Sequence, residues 1–258
     1  MHPTLFHLFG ITITSYGASK ALAALAAGWL LSREFRRLGW NTAVVTNLVL
    51  ATTVVGFLGA KLYYLAEHAH DMMSHDFGGS GFTWYGGFLA GAATFLLLAR
   101  HYRLPIATLA GISTAPLSVA YGIGRIGCLL AGDGTYGRPT SLPWGVTFTH
   151  GTMPTTVPVH PTPLYEALAA FATAALLWRV RRRWQPSTMV AVYLMLAGTA
   201  RFLVEIVRIN TKAWLGLTQP QLWSLALVAV GAAVLLLPWR RWSPSRIVDQ
   251  PLATGPPR

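Results

Sequence analysis

Leu222–Pro238 reads LWSLALVAVGAAVLLLP, and no charge interrupts it. A helix that crosses the hydrocarbon of a bilayer needs about 20 mostly apolar residues. With the few residues before it, this stretch is that long. The rest of the chain agrees. Of 258 residues, 53% are hydrophobic and only 11% charged, and the mean hydropathy is +0.46. A soluble domain carries about 25% charged residues.

Working outward, six further apolar segments lie at roughly 11–31, 42–65, 82–99, 105–131, 162–178 and 188–209, with the quoted stretch inside a seventh at 219–238. They predict an all-α integral membrane protein of about seven transmembrane helices. No basic region precedes the first segment and polar residues interrupt it, so it is expected to be a span rather than a cleaved signal. The expected organisation is one membrane domain, 1–238, and a short basic tail, 239–258. The lone cysteine, Cys128, excludes an internal disulfide and a cysteine zinc cluster. The net charge of +12 would suit nucleic acid. Here the basic residues flank apolar segments, which favours a lipid surface instead, with no nucleic-acid partner.

Lys and Arg counts orient the spans. The connections 32–40, 100–104 and 179–186 and the tail hold Arg33, Arg36, Arg37, Arg100, Arg103, Arg179, Arg181, Arg182, Arg183, Arg240, Arg241, Arg246 and Arg258. The alternate connections, 66–81, 132–161 and 210–218, hold only Arg138 and Lys212. Thirteen against two places the N-terminus outside and the C-terminus in the cytoplasm. The long loop 132–161 is then extracytoplasmic.

Five basic residues remain, Lys20, Lys61, Arg125, Arg201 and Arg208, all within or at the edge of expected spans. An arginine at the bilayer centre costs about 2.5–3.5 kcal/mol even on the mild insertion scale. Such residues need a cavity or a partner. Lys20, Lys61 and Arg208 read as structural ion pairs or as side chains snorkelling to the interface. Arg125 and Arg201 have more context. Arg125 stands in YGIGRIG, where Gly122, Gly124 and Gly127 admit another backbone or a bulky headgroup. Arg201, Glu205 and Arg208 in GTARFLVEIVR are spaced to share one helix face, with Glu205 orienting Arg201. Two arginines at membrane depth on separate helices make a clamp for a phosphate, and a phosphate embedded in a membrane belongs to a phospholipid. Other residues carry plainer readings of their own. Tyr16 and Tyr85 fit an interfacial aromatic belt, His160 an ordinary loop histidine, and Asp133 between glycines a turn.

Several segments together resemble the prolipoprotein diacylglyceryl transferase family. They are SYG at 15–17, GAKLYY at 59–64, WYGGFLAG at 84–91, GRIGCLLAGDGTYGR at 124–138, VHPTPLYE at 159–166 and RFLVE at 201–205. They stand in the family's order along most of the chain. The resemblance implies an enzyme of the bacterial plasma membrane. Such an enzyme moves the diacylglyceryl group of phosphatidylglycerol to the lipobox cysteine of a prolipoprotein signal peptide. A thioether forms and glycerol phosphate leaves. No metal or organic cofactor is implied. The resemblance assigns Arg125 and Arg201 to the lipid phosphate and transition state. It also marks Tyr16, Glu205, Gly86, Gly87, Gly124 and Gly127 as substrate-binding positions.

The chain departs from the family pattern at three points. Tyr85 stands where the family has the histidine of its His-Gly-Gly element, Cys128 where it has asparagine, and Pro163 where it has glutamine. Tyr85 is expected to orient the lipid. Ionisation of the thiol is then assisted by Asp133, by His160 or by the positive field. Cys128 is expected to be a small buried filler. The rival readings are a divergent relative with another acceptor and a non-catalytic phospholipid-binding protein.

Overall fold

A computed structural model describes residues 3–8, 11–69 and 82–236. It holds seven helices among them: α1 (Ser15–Arg37), α2 (Ala43–Glu67), α3 (Trp84–His101), α4 (Ile106–Ala131), α5 (Thr162–Val180), α6 (Pro186–Glu205) and α7 (Gln219–Leu236). Each falls on one of the seven apolar segments. Four of them, α2, α4, α6 and α7, are long and apolar enough to cross a membrane. The expected basic tail, 239–258, lies outside the described residues, as does much of the 66–81 connection.

Two corrections concern helix ends. The first segment was expected to be helical from residue 11. Instead Ile11–Thr14 (β2) pairs antiparallel with Thr4–Leu8 (β1), and the helix begins at Ser15. Thr14 is the reason: its hydroxyl caps α1 by accepting from the Gly17 N–H at 3.1 Å. The sixth segment was expected to run to 209, yet α6 stops at Glu205. Residues 206–208 turn back, and the chain forms a small hairpin of Lys212–Trp214 (β3) and Leu217–Thr218 (β4). Thr218 and Gln221 then cap α7 reciprocally, Thr218 N–H to Gln221 Oε1 at 3.0 Å and Gln221 N–H to Thr218 Oγ1 at 3.4 Å. Apart from these two hairpins, the architecture is the expected helical one.

Helix α4 is the hub and packs against α1, α5 and α6. Its glycines permit the approach. A Cβ at Gly127 would stand 2.6 Å from Ser19 Cβ of α1, and one at Gly122 would meet the Phe171 ring of α5 at 2.6 Å. Gly132 ends the helix in the left-handed region at φ +59°. Large aliphatic side chains cover the outside, with Leu25 71% and Leu97 67% exposed, while Ser113, Thr114 and Ser118 are buried. The three buried hydroxyls bond back to α4 carbonyls. This pattern suits a hydrocarbon solvent, which accepts leucines and rejects unpaired polar groups. One apolar core, around Phe35, Leu48 and Leu109, ties α1, α2 and α4 at the end of the bundle remote from Gly132.

Candidate functional site

The C-terminal ends of α4 and α6 and the N-terminal end of α5 meet at one end of the bundle. Arg125 of α4 ion-pairs through Nε with Glu166 Oε2 of α5. Arg201 of α6 reaches the other oxygen of the same carboxylate, Nη1 to Oε1 at 3.3 Å. Arg201 Nη1 also lies 2.5 Å from Glu205 Oε2, one turn along its own helix. Glu205 Oε2 is in turn 3.6 Å from Arg208 Nε. Three guanidinium groups therefore share two carboxylates, and the cluster carries a surplus positive charge. Both carboxylate residues are 2% exposed. The two arginines expected to form a clamp are joined by one acid.

The pairs are not all satisfied as hydrogen bonds. Both oxygens of Glu166, Glu205 Oε2, Arg201 Nη1 and Arg208 Nε are buried and lack an aligned partner. The charges are close, but the N–H vectors point elsewhere. A closed structural ion pair relies on such alignment to offset desolvation. Glu205 Oε1, by contrast, is held firmly, accepting from Thr218 Oγ1 at 2.9 Å and Asn210 Nδ2 at 2.5 Å.

Arg208 is not on the α6 face predicted from its spacing. The turn after Glu205 returns it to the cluster, where Nη1 donates to the Thr135 carbonyl at 2.7 Å. Thr135 is a junction that sequence reasoning missed. Its carbonyl also accepts from Thr162 Oγ1 at 2.5 Å, and its N–H and hydroxyl donate to Asp133 Oδ1 at 3.2 and 2.6 Å. Asp133 thus shapes a turn and makes no ion pair among the described residues. Arg138 fastens the same loop to the turn after α6, its N–H donating to Val207 O at 2.8 Å and Nη2 to Ile206 O.

Two other predicted residues, His160 and Tyr16, have local partners of their own. His160 precedes α5, and its Nδ1 is 3.3 Å from the Tyr165 hydroxyl, which accepts from Trp144 Nε1 at 2.8 Å. Tyr165 directly precedes Glu166, so the loop histidine is linked to the base of the cluster. Tyr16 lies in the first turn of α1, with its ring 4.9 Å from Lys20 Nζ.

Tyr85 lies at the start of α3. Its hydroxyl accepts from Gln219 Nε2 at 2.7 Å, joining the starts of α3 and α7. Gly86 and Gly87 have a packing job. A Cβ at Gly86 would collide with Gly59 O and Tyr63 Cβ of α2 at 2.3 Å, and one at Gly87 would stand 3.2 Å from Ala60 Cβ. Gly127 likewise serves the α1 contact, whereas a Cβ at Gly124 would stand 3.4 Å from Lys20 Nζ. Cys128 is buried and free, as expected of a filler.

Glu166 is the principal residue missed. The signal was present, since an acid opening an apolar segment calls for a partner. Tyr121 was missed too. Its hydroxyl accepts from Arg125 Nε at 3.0 Å, and its ring faces the guanidinium at 5.0 Å. That contact lies one helical turn before Arg125 and was readable at i, i−4 spacing.

Comparison with known proteins meets this geometry from another side. The family model described as prolipoprotein diacylglyceryl transferase matches residues 3–237. A phosphatidylglycerol–prolipoprotein diacylglyceryl transferase of Clostridium tetani is 33% identical over 91% of this chain and 96% of its own length. One from Leptospira interrogans is 33% identical over 89% of this chain and 90% of its own. A Geobacter sulfurreducens protein of the same name is 30% identical over 93% and 96%. With its arginines gathered on buried acids and its whole bundle matched, the chain belongs to the prolipoprotein diacylglyceryl transferase family.

Proposed function

We propose that this protein transfers the diacylglyceryl group of phosphatidylglycerol to the thiol of a prolipoprotein lipobox cysteine. The observation that carries this reading is the convergence of Arg125, Arg201 and Arg208 on only two buried carboxylates. A surplus cation at membrane depth is a place for an anion, and the names of the relatives supply its identity, phosphatidylglycerol. All seven helices span the bacterial plasma membrane in this reading, N-terminus outside and C-terminus cytoplasmic. Residues 1–238 form the membrane domain and 239–258 a cytoplasmic tail. The cluster then lies near the outer leaflet, where a secreted prolipoprotein presents its cysteine.

The reaction balances without a cofactor. The thiol gives up its proton to His160 or Asp133, and the sulfur attacks the glyceryl carbon that carries the phosphate ester. The C–S bond forms as the C–O bond breaks. The electron pair leaves on the phosphate oxygen, and glycerol phosphate departs. Charge grows on the phosphate in the transition state, and donors fixed in advance stabilise it without reorganising. Arg125 and Arg201 are the catalytic residues in this scheme. Glu166 and Glu205 position them, and Glu205 is itself locked by Thr218 and Asn210. The Arg125 and Arg201 side chains stay 19% and 21% exposed, and from there they reach phosphate oxygens. Tyr16 and Gly124 border the lipid on the α1–α4 side. Tyr85 orients it from α3. His160 and Asp133 assist ionisation of the thiol from the loop.

The test uses purified protein, phosphatidylglycerol and a lipobox peptide, read by mass spectrometry of the peptide cysteine. The expected result is a diacylglyceryl adduct that disappears in Arg125→Ala. An unmodified peptide, with folded protein that still retains the lipid, would point to a different acceptor.

A further inference from the structure

Arg125, Arg201 and Arg208 each have a carboxylate within ion-pair distance. Lys20 does not. Among the described residues no acid lies within 4.0 Å of its ammonium, although it stands in the second turn of α1 and is half-buried. Such a charge at membrane depth is costly and calls for an opposite charge.

Its placement is specific. Lys20 Nζ is 4.9 Å from the centre of the Tyr16 ring, one turn earlier on the same helix. It also lies against α4, where a Cβ at Gly124 would stand only 3.4 Å from Nζ. Gly124 is the residue before Arg125. The tight seat of Ser19 against Gly127 fixes how α1 meets α4, and with it the side on which Lys20 emerges. Two cations thus flank the same stretch of α4, Arg125 toward α5 and Lys20 toward α1. Each has a tyrosine ring one turn before it, Tyr121 for the arginine and Tyr16 for the lysine. Only the arginine also has an acid.

We propose that the Lys20 ammonium is a further phosphate-binding group of the site, held in place by the Tyr16 ring, and that the lipid phosphodiester is its missing counter-ion. This rests on the transferase reading above. Lys20 answers the phosphate from the α1 side of α4, while Arg125 and Arg201 answer it from the α5 and α6 side. A point charge on a flexible stem can follow the phosphate as the ester bond lengthens, whereas the guanidinium forks are tethered by Glu166. Tyr16 is a positioning residue here. Its ring face supplies the attraction.

The experiment compares wild type with Lys20→Met and Lys20→Arg in mixed micelles of dioleoyl phosphatidylglycerol with a lipobox peptide. Lys20→Met is expected to raise KM for the lipid about tenfold, the loss of one charge-assisted contact, with the peptide KM unchanged. Lys20→Arg is expected to recover to within about threefold, which also controls for folding. Tyr16→Leu, which removes the ring face beside Lys20, should also raise the lipid KM. A parallel arm measures retention of phosphatidylglycerol against phosphatidylcholine by native mass spectrometry, and inhibition by glycerol phosphate and inorganic phosphate. Weaker lipid retention together with weaker glycerol phosphate inhibition in Lys20→Met supports the shared phosphate. Weaker inhibition by free phosphates with unchanged lipid retention overturns the lipid assignment. Unchanged lipid KM and retention overturn the proposal and leave a snorkelling lysine. If wild type transfers nothing, the transferase reading fails, and the retention arm still decides the role of Lys20.

Discussion

The two ends of the bundle use the same chemistry to different purposes. At one end Glu34 of α1 is 1% exposed and receives three aligned hydrogen bonds. Arg37 gives Nε and Nη2 to Oε2 at 2.8 and 2.6 Å, and Arg181, the residue that ends α5, gives Nε to Oε1 at 2.7 Å. Arg181 is further held over the Trp178 ring at 3.7 Å. Both oxygens are taken, and α1 is fastened to α5. At the other end Glu166 faces two arginines across helix boundaries, yet neither of its oxygens has an aligned donor. About 22 Å of α5 separates Glu166 from Arg181 at 1.5 Å per residue. The first arrangement is complete in itself. The second is close in distance, poor in alignment and rich in positive charge, as expected where a further anion completes the set.

Breaking the second arrangement should produce the largest effect. Arg125→Ala and Arg201→Ala are each expected to lower kcat/KM for peptide modification by about 10²–10³, the usual cost of removing a donor aimed at developing charge. Their thermal midpoints in detergent should fall much less than their activity. Glu166→Gln keeps the shape and removes the shared tether. Its expected loss is about tenfold in kcat, with protein that still retains phosphatidylglycerol in native mass spectrometry.

Glu34→Gln sharpens the contrast from the other side. It leaves Arg37 and Arg181 without their acid, and stability should drop by about 3 kcal/mol, the low end for a broken buried pair because both arginines are partly exposed. Transfer by the folded fraction should stay within about twofold of wild type. A large kinetic effect of Glu34→Gln at unchanged stability would dissolve the distinction between the ends. Smaller still, Tyr85→Phe loses one exposed hydrogen bond to Gln219, worth about 1 kcal/mol. Activity should fall less than about fivefold; a loss as deep as that of Arg125→Ala would place the Tyr85 hydroxyl in the chemistry. Cys128→Ser should be nearly silent in peptide modification, with only a small fall in thermal midpoint.

How much of this was readable beforehand varies by residue. The helices were legible because apolar runs of bilayer length have few alternatives, and each described helix lies on its expected segment. The end of α6 was not legible. The apolar residues Ile206 and Val207 continue the pattern, while the turn there is set by contacts from the 132–140 loop. Arg208 was assigned to the wrong face for that reason, though its partner Glu205 was the right one. Gly86 and Gly87 were assigned to substrate through the resemblance, and their described contacts are with α2. A glycine's missing side chain shows that something comes close, and only coordinates show what.

The sequence alone determined that this is a helical protein suited to a bilayer, that its positive charge lies mainly on alternate connections, and that Arg125, Arg201 and Glu205 sit where charge is expensive. Those properties depend on local composition and spacing. The tertiary structure decided that Glu166 is the acid Arg125 and Arg201 share, that a turn delivers Arg208, that Thr135 ties the loop to Arg208 and Thr162, and that Lys20, beside Gly124, has no acid near it among the described residues. Those facts depend on which helices neighbour α4, a choice made by packing between residues distant in the chain.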